Sequence, residues 1–248
     1  MNQTAKLFCG DCLTEMSKLP ADSIDGFIID PPYSSGGTFS TQRKNDTASK
    51  YASSGSARAV KMPSFSGDNM DMRSYTNFLR EVLFTARAKT KEGGVCCVFI
   101  DFRNLPAVAD AIQMAGWTWR GIVVWDKKNS RPQMGRFRNR CEYVVWGSNG
   151  KMPFDRGVPI LDGLFSHSNV PTSKLNHQTE KPVELMENIV RIVPEGGTVC
   201  DCFMGSGSTG VACINTSRNF VGIELDSHNF DVAKKRIADA QDLQLCKQ

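Results

Sequence analysis

Apolar and polar residues follow two patterns along the chain. Short continuous apolar runs, such as 94–100, are typical of strands buried on both faces of a parallel sheet. In other segments, such as 74–90, apolar residues recur about every 3.6 positions, which predicts amphipathic helices. The predicted strands are 25–29, 94–100, 117–125, 142–146, 197–202 and 219–225, and the predicted helices are 74–90, 105–115, 184–193, 209–214 and 228–243. Strands that alternate with helices indicate a doubly wound, mostly parallel α/β sheet.

Two polar stretches interrupt this alternation and hold much of the positive charge. Residues 34–73 are mostly polar, and a segment of that length without regular structure is usually functional or disordered. Residues 34–61 carry five cations against one acid, and residues 127–140 carry six cations and no acid. Because the formal net charge is only +4, the rest of the chain is net acidic. We therefore expect one domain, 1–248, in which 34–73 and 127–140 are basic insertions.

The composition excludes several classes of protein. Of the 248 residues, 40% are apolar and 23% are charged, as in ordinary globular proteins. The longest apolar runs are far shorter than the roughly 20 residues of a membrane span, and no secretory signal is visible. We therefore expect a cytoplasmic protein. The nine cysteines are an odd number scattered through apolar runs, which is typical of reduced core thiols, and no metal site is predicted.

A glycine-rich turn at 201–210 lies between a predicted strand and a predicted helix. Gly205 and Gly207 permit a tight turn and a close approach of the backbone to a ligand, and the amides of a helix N-terminus favour a negative group. Glu224 ends the next strand, where a carboxylate can accept hydrogen bonds from ribose hydroxyls. This arrangement predicts a cofactor that contains a nucleoside. A nicotinamide dehydrogenase is disfavoured, because only 38 residues follow Gly210 and the dinucleotide fold would lack its second half.

A second motif follows the buried strand 25–29, at the end of a strand where α/β sheets bind their ligands. Pro31 and Pro32 cannot continue a sheet ladder, so the chain turns out of the sheet. The rigid turn lets the Asp30 carboxylate and the Pro31 carbonyl face one ligand group, which suits an amino group with two hydrogens. Tyr33 offers a flat ring on which a base can stack.

Together, the two motifs resemble those of the beta-class amino-methyltransferases, which modify DNA with S-adenosylmethionine. In that class the catalytic motif precedes the cofactor motif, as 30–33 precedes 201–207 here. The resemblance implies a Rossmann-like methyltransferase sheet with this permuted motif order, in a bacterial or phage protein. It extends over most of the chain through further matching segments, which are 10–12, 125–127, 141–143, 177–182 and 218–224.

The resemblance also implies roles for individual residues. Asp30 and the Pro31 carbonyl would accept hydrogen bonds from the amino group of a base flipped out of duplex DNA, with Pro32 and Tyr33 completing the catalytic motif. Family members with Asp at the first motif position mostly methylate adenine N6, so adenine is the expected target. The expected cofactor contacts are Asp11, Lys181, Asp201, Phe203, Gly205, Ser206, Gly207 and Glu224.

DNA contacts are expected from the basic insertions, because lysine and arginine side chains position phosphates. The residues expected to contact DNA are Arg43, Lys44, Lys127, Lys128, Arg131, Arg136, Arg138 and Arg140. Members of the class often dimerise, which leaves a homodimer open. The open alternatives for the function are a cytosine-N4 methyltransferase of the same class, a methyltransferase that acts on RNA or protein glutamine, and a DNA-binding relative without activity.

Overall fold

The apolar runs form the strands of a sheet, and the amphipathic segments form helices around it. The structure is a computed structural model that describes residues 3–34, 70–128, 134–168 and 180–246. Its strands are β1 (Ala5–Cys9), β2 (Ile24–Ile29), β3 (Thr90–Ile100), β4 (Thr118–Asp126), β5 (Cys141–Ser148), β6 (Leu164–Ser166), β7 (Thr198–Asp201) and β8 (Asn219–Glu224). Its helices are α1 (Cys12–Ser17), α2 (Met72–Arg87), α3 (Leu105–Met114), α4 (Val183–Val190), α5 (Ser208–Asn215) and α6 (Ser227–Leu245).

Within the described residues, eight strands form one sheet in the order β1-β8-β7-β2-β3-β5-β4-β6. β5 runs antiparallel to its two neighbours, β3 and β4. The other neighbouring strands are parallel. The predicted doubly wound, mostly parallel sheet is therefore confirmed.

Helices cover both faces of the sheet, which explains why its central strands are continuously apolar. Phe27 and Ile29 of β2 pack with α1, α2 and α3 on one face, whereas Ile28 packs with α4, α5 and α6 on the other. Since successive side chains of a strand point to opposite faces, a strand covered on both sides needs apolar residues at every position. No helix in the described parts of the chain is long and apolar enough to cross a membrane.

The centre of the sheet contains a switch point, where the chain connections diverge. β2 and β7 are adjacent and parallel, with Gly26 opposite Val199. From β7 the chain continues to β8 on one side, and from β2 it continues to β3 on the other side. In open α/β sheets, the loops that leave such a pair of strands separate and form a crevice that binds ligands.

Several element boundaries differ from the sequence prediction. α2 ends at Arg87 rather than near 90, because the next residues already join the sheet: the Lys89 carbonyl accepts hydrogen bonds of 3.0 Å from the Ser23 and Ile24 N–H groups. β3 accordingly begins at Thr90, before the predicted start at 94. The sequence pattern also does not predict β1, α1 or β6.

Candidate active site

The predicted site residues meet at one edge of the sheet, where the parallel strands end. Asp30 follows β2, Asp201 ends β7, Glu224 ends β8, and Asp11 lies shortly after β1. β5 runs in the opposite direction, so its first residues, including Glu142, start at this same edge. The fold thus brings the catalytic motif and the cofactor motif to adjacent strands at the switch point.

The glycine turn between β7 and α5 has a backbone that favours glycine. Gly205 and Gly207 both lie in the left-handed region, with φ of +52° and +85°. A Cβ on Gly207 would lie 2.9 Å from the Cβ of Ala233, so this glycine also allows α6 to pack closely. A Cβ on Gly205 would meet only the Phe203 carbonyl oxygen, at 4.0 Å, so this side of the turn is open to a ligand.

Glu224 is tied to the glycine turn by backbone hydrogen bonds. Its Oε2 accepts from the Gly205 N–H at 2.7 Å, and its Oε1 accepts from the Asp226 N–H at 2.9 Å. Burial raises the pKa of Glu224, and these two donors oppose the rise. A carboxylate has about four acceptor positions, so Glu224 keeps the capacity to accept ribose hydroxyls.

Asp11 caps the helix that follows β1. Its Oδ1 accepts from the Thr14 N–H at 2.9 Å and from the Thr14 hydroxyl at 3.0 Å. The Gly10 N–H donates to the Glu224 carbonyl at 2.8 Å, which places the Asp11 turn beside Glu224. The two acids that the sequence predicts near the nucleoside are therefore neighbours in space.

Asp201 is buried beneath the glycine turn. Its Oδ2 accepts from the Thr209 hydroxyl at 2.5 Å, and its Oδ1 accepts from the Phe203 N–H at 3.0 Å. Burial raises the pKa of Asp201 to about 7, although both hydrogen bonds oppose the shift. In this structure Asp201 joins the end of β7 to α5, and its predicted contact with the cofactor stays a prediction.

Asp30 presents one engaged and one vacant oxygen. Its Oδ2 accepts from the Lys181 ammonium at 2.5 Å. Its Oδ1 is buried and has no hydrogen-bond partner among the residues that the structure describes. The turn is fixed on its far side by Asn104, whose Nδ2 donates to the Tyr33 carbonyl at 2.6 Å. A buried oxygen without a partner is costly, which indicates that a ligand group completes its hydrogen bonding.

Glu142 connects the catalytic motif to two lysines. It accepts from the Tyr33 hydroxyl at 3.0 Å and from Lys127 Nζ at 3.0 Å, and its Oε2 lies 3.7 Å from Lys181 Nζ. Burial opposes its ionisation, but Lys181 and Lys127 keep the pKa of Glu142 below its ordinary value. Burial, Asp30 and Glu142 raise the pKa of Tyr33 well above its ordinary value, so the Tyr33 hydroxyl stays protonated and donates.

The basic insertion 127–140 divides into inward-facing and outward-facing residues. Lys127 faces Glu142, and its side chain is only 19% exposed. Arg140 donates two hydrogen bonds to Asp126, and the Lys128 N–H donates another. Together these hydrogen bonds lower the pKa of Asp126 to about 2. Arg136 and Arg138 are exposed. Three of the residues expected to contact DNA lie outside the described residues: Arg43, Lys44 and Arg131. His177, from the matched segment 177–182, also lies outside them.

Some residues that build the site are absent from the sequence prediction. Arg236, on α6, donates to the Ser206 carbonyl at 2.8 Å and hydroxyl at 2.9 Å. It also pairs with Glu180 at 2.6 Å, next to Lys181. No motif marks Arg236, because its partners are set by helix packing. Glu142 lies in the segment 141–143 that resembles the family, although the resemblance gives it no role.

The described residues fit a cofactor that contains a nucleoside. The turn at Gly205 is open on one side, and Glu224 and Asp11 lie at the neighbouring strand ends. At the start of α5 the buried hydroxyl of Ser208 has no hydrogen-bond partner among the described residues. The turn and the start of α5 thus offer open space and an unpaired hydroxyl, and the neighbouring strand ends offer acceptors for ribose. These are features that bind a nucleoside.

Comparison with known proteins identifies the family. A family model described as DNA methylase, of the N6/N4 type, matches residues 24–235. The chain belongs to this family of DNA methylases. The predicted S-adenosylmethionine-dependent DNA methyltransferase activity is therefore confirmed, with S-adenosylmethionine as its cofactor and DNA as its substrate.

Curated relatives match this DNA methylase over almost its whole length. It is 26% identical to the type II methyltransferase M2.DpnII of Streptococcus pneumoniae over 247 residues, which cover 92% of this chain and 87% of the relative. It is 24% identical to the type II methyltransferase M2.MboI of Moraxella bovis, with 93% and 86% covered.

Solved structures show the same fold. The crystal structure of an M1.HpyAVI–SAM complex matches with a TM-score of 0.67 at 24% identity, and covers 94% of this chain and 99% of its own. The cytosine-N4-specific PvuII DNA methyltransferase matches with a TM-score of 0.68 at 17% identity, and covers 100% of this chain and 95% of its own. A DNA modification methylase of Thermus thermophilus in complex with S-adenosylmethionine matches with a TM-score of 0.66 at 17% identity, with 96% of each chain covered.

Proposed function

We propose that this DNA methylase transfers a methyl group to N6 of an adenine that is flipped out of duplex DNA. The observation that carries the proposal is the buried, unpaired Oδ1 of Asp30 at the switch point. This oxygen is an acceptor placed where a flipped base would present its amino group. The choice of adenine over cytosine rests on Asp30 itself, because enzymes with Asp at the first motif position mostly modify adenine.

The residues of the site suit a mechanism of orientation. When bound, S-adenosylmethionine would supply an electrophilic methyl group on its sulfonium, and the electron pair of the broken S–C bond would stay on the sulfur of the departing S-adenosylhomocysteine. Asp30 Oδ1 and the Pro31 carbonyl accept hydrogen bonds from the two N–H groups of the target amino group. These hydrogen bonds turn the nitrogen lone pair out of conjugation with the ring and towards the methyl group. The nitrogen becomes acidic as it gains the methyl group, so Asp30 Oδ1 accepts the proton that it loses and passes it to water.

Tyr33 provides the surface that holds the base. Its hydroxyl is fixed by Glu142 and its carbonyl by Asn104, so the ring has a single orientation. The Lys181 ammonium lies 5.1 Å from the centre of this ring. A rigid aromatic ring costs little entropy when a base stacks on it.

The segment 134–140 supports the contact with DNA. It leads into β5 at the edge that holds Asp30, and it contains Arg136 and Arg138. Between these arginines, the side chain of Phe137 is 99% exposed. The arginines are suited to phosphates, and the apolar ring is suited to the space that a flipped base leaves in the stack.

The modified nucleoside tests the proposal directly. Duplex DNA is incubated with the protein and S-adenosylmethionine labelled in its methyl group, and is then digested to nucleosides. We expect the label in N6-methyldeoxyadenosine. Label in N4-methyldeoxycytidine would overturn the choice of adenine but leave the family assignment intact, whereas an unlabelled digest would overturn the proposed function itself.

A further inference from the structure

We infer that Lys181 is a positioning residue for Asp30: its ammonium holds one carboxylate oxygen so that the other faces the target amino group. The inference rests on the proposed function, because it assigns a task to the vacant oxygen of Asp30. It differs from the role that the sequence resemblance implies for Lys181, which is contact with the cofactor.

The geometry of the pair gives the first argument. Lys181 Nζ lies 2.5 Å from Asp30 Oδ2, while Oδ1 is buried and has no partner among the described residues. A free aspartate can rotate about its Cβ–Cγ bond and exchange its two oxygens. A short charge-assisted hydrogen bond to one oxygen stops that exchange and leaves the same oxygen vacant in every molecule.

The balance of charge gives the second argument. Asp30 and Glu142 are two carboxylates that both approach the Lys181 ammonium, and Lys127 binds the far oxygen of Glu142. Two acids and two lysines make this cluster neutral. Removal of Lys181 would leave two neighbouring carboxylates with one cation, and their repulsion would turn Asp30 away. Its Oδ1 would then no longer be a fixed acceptor.

The surroundings of Lys181 give the third argument, because they hold its ammonium in place. The side chain is only 9% exposed, and Nζ lies 5.1 Å and 5.3 Å from the ring centres of Tyr33 and Phe99. On one side of Lys181 in the chain, Glu180 is anchored to Arg236, and on the other side Pro182 begins α4. A lysine held this firmly has little freedom to leave Asp30 and Glu142 for another partner.

The two roles of Lys181 predict different measurements. A lysine that binds the cofactor contributes to the affinity for S-adenosylmethionine. A lysine that positions Asp30 contributes to the rate of methyl transfer when the cofactor is already saturating. Affinity is measured by calorimetry with S-adenosylmethionine alone, and rate by single-turnover transfer of labelled methyl groups to duplex DNA. Because total label is counted, the comparison does not depend on which base is modified.

The main variants are Lys181→Met, which keeps the length of the side chain, and Lys181→Ala. We expect Lys181→Met to lower the single-turnover rate by about 100-fold or more, since mispositioning of a reacting group costs on this order. Its affinity for S-adenosylmethionine should change by less than about threefold. Propylammonium replaces the atoms that Lys181→Ala removes, so added propylammonium should restore part of the rate. A lysine that only supports the fold would not give this rescue.

A matched control lies at the other end of the same strand. Lys91 Nζ pairs with Asp25 Oδ1 at 2.8 Å where β2 begins, just as Lys181 pairs with Asp30 where β2 has ended. Lys91→Met should leave the single-turnover rate within about twofold of the wild type. If Lys181→Met does not fold, as judged by thermal unfolding, Lys181→Gln takes its place with the same expected loss of rate.

Two results would overturn the inference. The first is a rate at saturating cofactor within threefold of the wild type in Lys181→Met, together with a tenfold weaker affinity, which would make Lys181 a cofactor ligand. The second is an equal loss of rate in Lys181→Met and Lys91→Met. If the wild type itself transferred no methyl group to DNA, both the proposed function and this inference would fail. In the two results above the wild type is active, so they overturn the inference alone and the two failures are distinguishable.

Discussion

Replacement of Asp201 by asparagine should remove a pH-dependent loss of stability. Asp201 is 2% exposed, and it accepts hydrogen bonds from the Thr209 hydroxyl and the Phe203 N–H. An asparagine of the same shape can accept from the Phe203 N–H through its oxygen and donate to the Thr209 hydroxyl through its nitrogen. The substitution therefore removes an ionisable group while it keeps both contacts.

The size of the effect follows from the pKa of Asp201. An aspartate in an unfolded chain has a pKa of about 3.9, and burial raises the pKa of native Asp201 to about 7. Between these values the native state retains a proton that the unfolded state has lost, so the free energy of unfolding falls as the pH rises. One pKa unit corresponds to about 1.4 kcal/mol, and the part of the shift that titrates between pH 5 and pH 8 amounts to about 2–3 kcal/mol.

Urea unfolding of both proteins, under reducing conditions from pH 5 to pH 8, measures this effect. The stability of the wild type relative to Asp201→Asn should fall by about 2–3 kcal/mol over that range. Groups far from Asp201 titrate alike in both proteins and cancel in the difference. A stability difference that stays constant to within about 0.5 kcal/mol would refute the argument that burial keeps a proton on Asp201.

Three further predictions concern catalysis and DNA. Asp30→Ala should lower methyl transfer by a factor of about 10²–10⁴ and leave the affinity for S-adenosylmethionine unchanged in calorimetry, and near-wild-type transfer would contradict the proposed mechanism. The double variant Arg136→Ala with Arg138→Ala should reduce the slope of log binding constant against log salt by about 2, and an unchanged slope would argue against contacts with phosphates. Phe137→Ala should weaken the fluorescence increase that 2-aminopurine at the target position shows when it is flipped out. Phe154 is an equally exposed phenylalanine beyond the opposite end of β5, and Phe154→Ala should not weaken this increase. Equal effects of the two substitutions would contradict insertion of Phe137.

The centre of the fold could be predicted from the sequence, but its edges could not. β2, β3 and β5 lie inside the sheet, and their long apolar runs are a direct consequence of burial on both faces. β1 and β6 are the two edge strands, and each has exposed or half-buried residues throughout. A short strand that is exposed on one side has no continuous apolar run, so its pattern does not distinguish it from a loop.

The candidate site shows the same division between local and long-range information. The turns at 30–33 and 201–207 could be predicted because prolines and glycines fix the backbone locally. The inward direction of Lys127 could not, because a run of cations shows charge but not direction. Lys127 lies two residues after the buried Trp125, and its N–H donates to the Arg140 carbonyl, so the alternation of the strand turns its side chain to the same face.

The permuted order of the motifs matters little once the strands are placed. Lys181 and Asp30 are 151 residues apart in the chain and in direct contact in the fold. Lys181 lies just before α4, which leads into β7, and β7 is the neighbour of β2. Both motifs follow parallel strands at the switch point, and the chain leaves that pair of strands in opposite directions. The crevice therefore depends on which strands are adjacent and not on which comes first. This is why a sheet in which the catalytic motif comes first along the chain still forms the crevice of a methyltransferase.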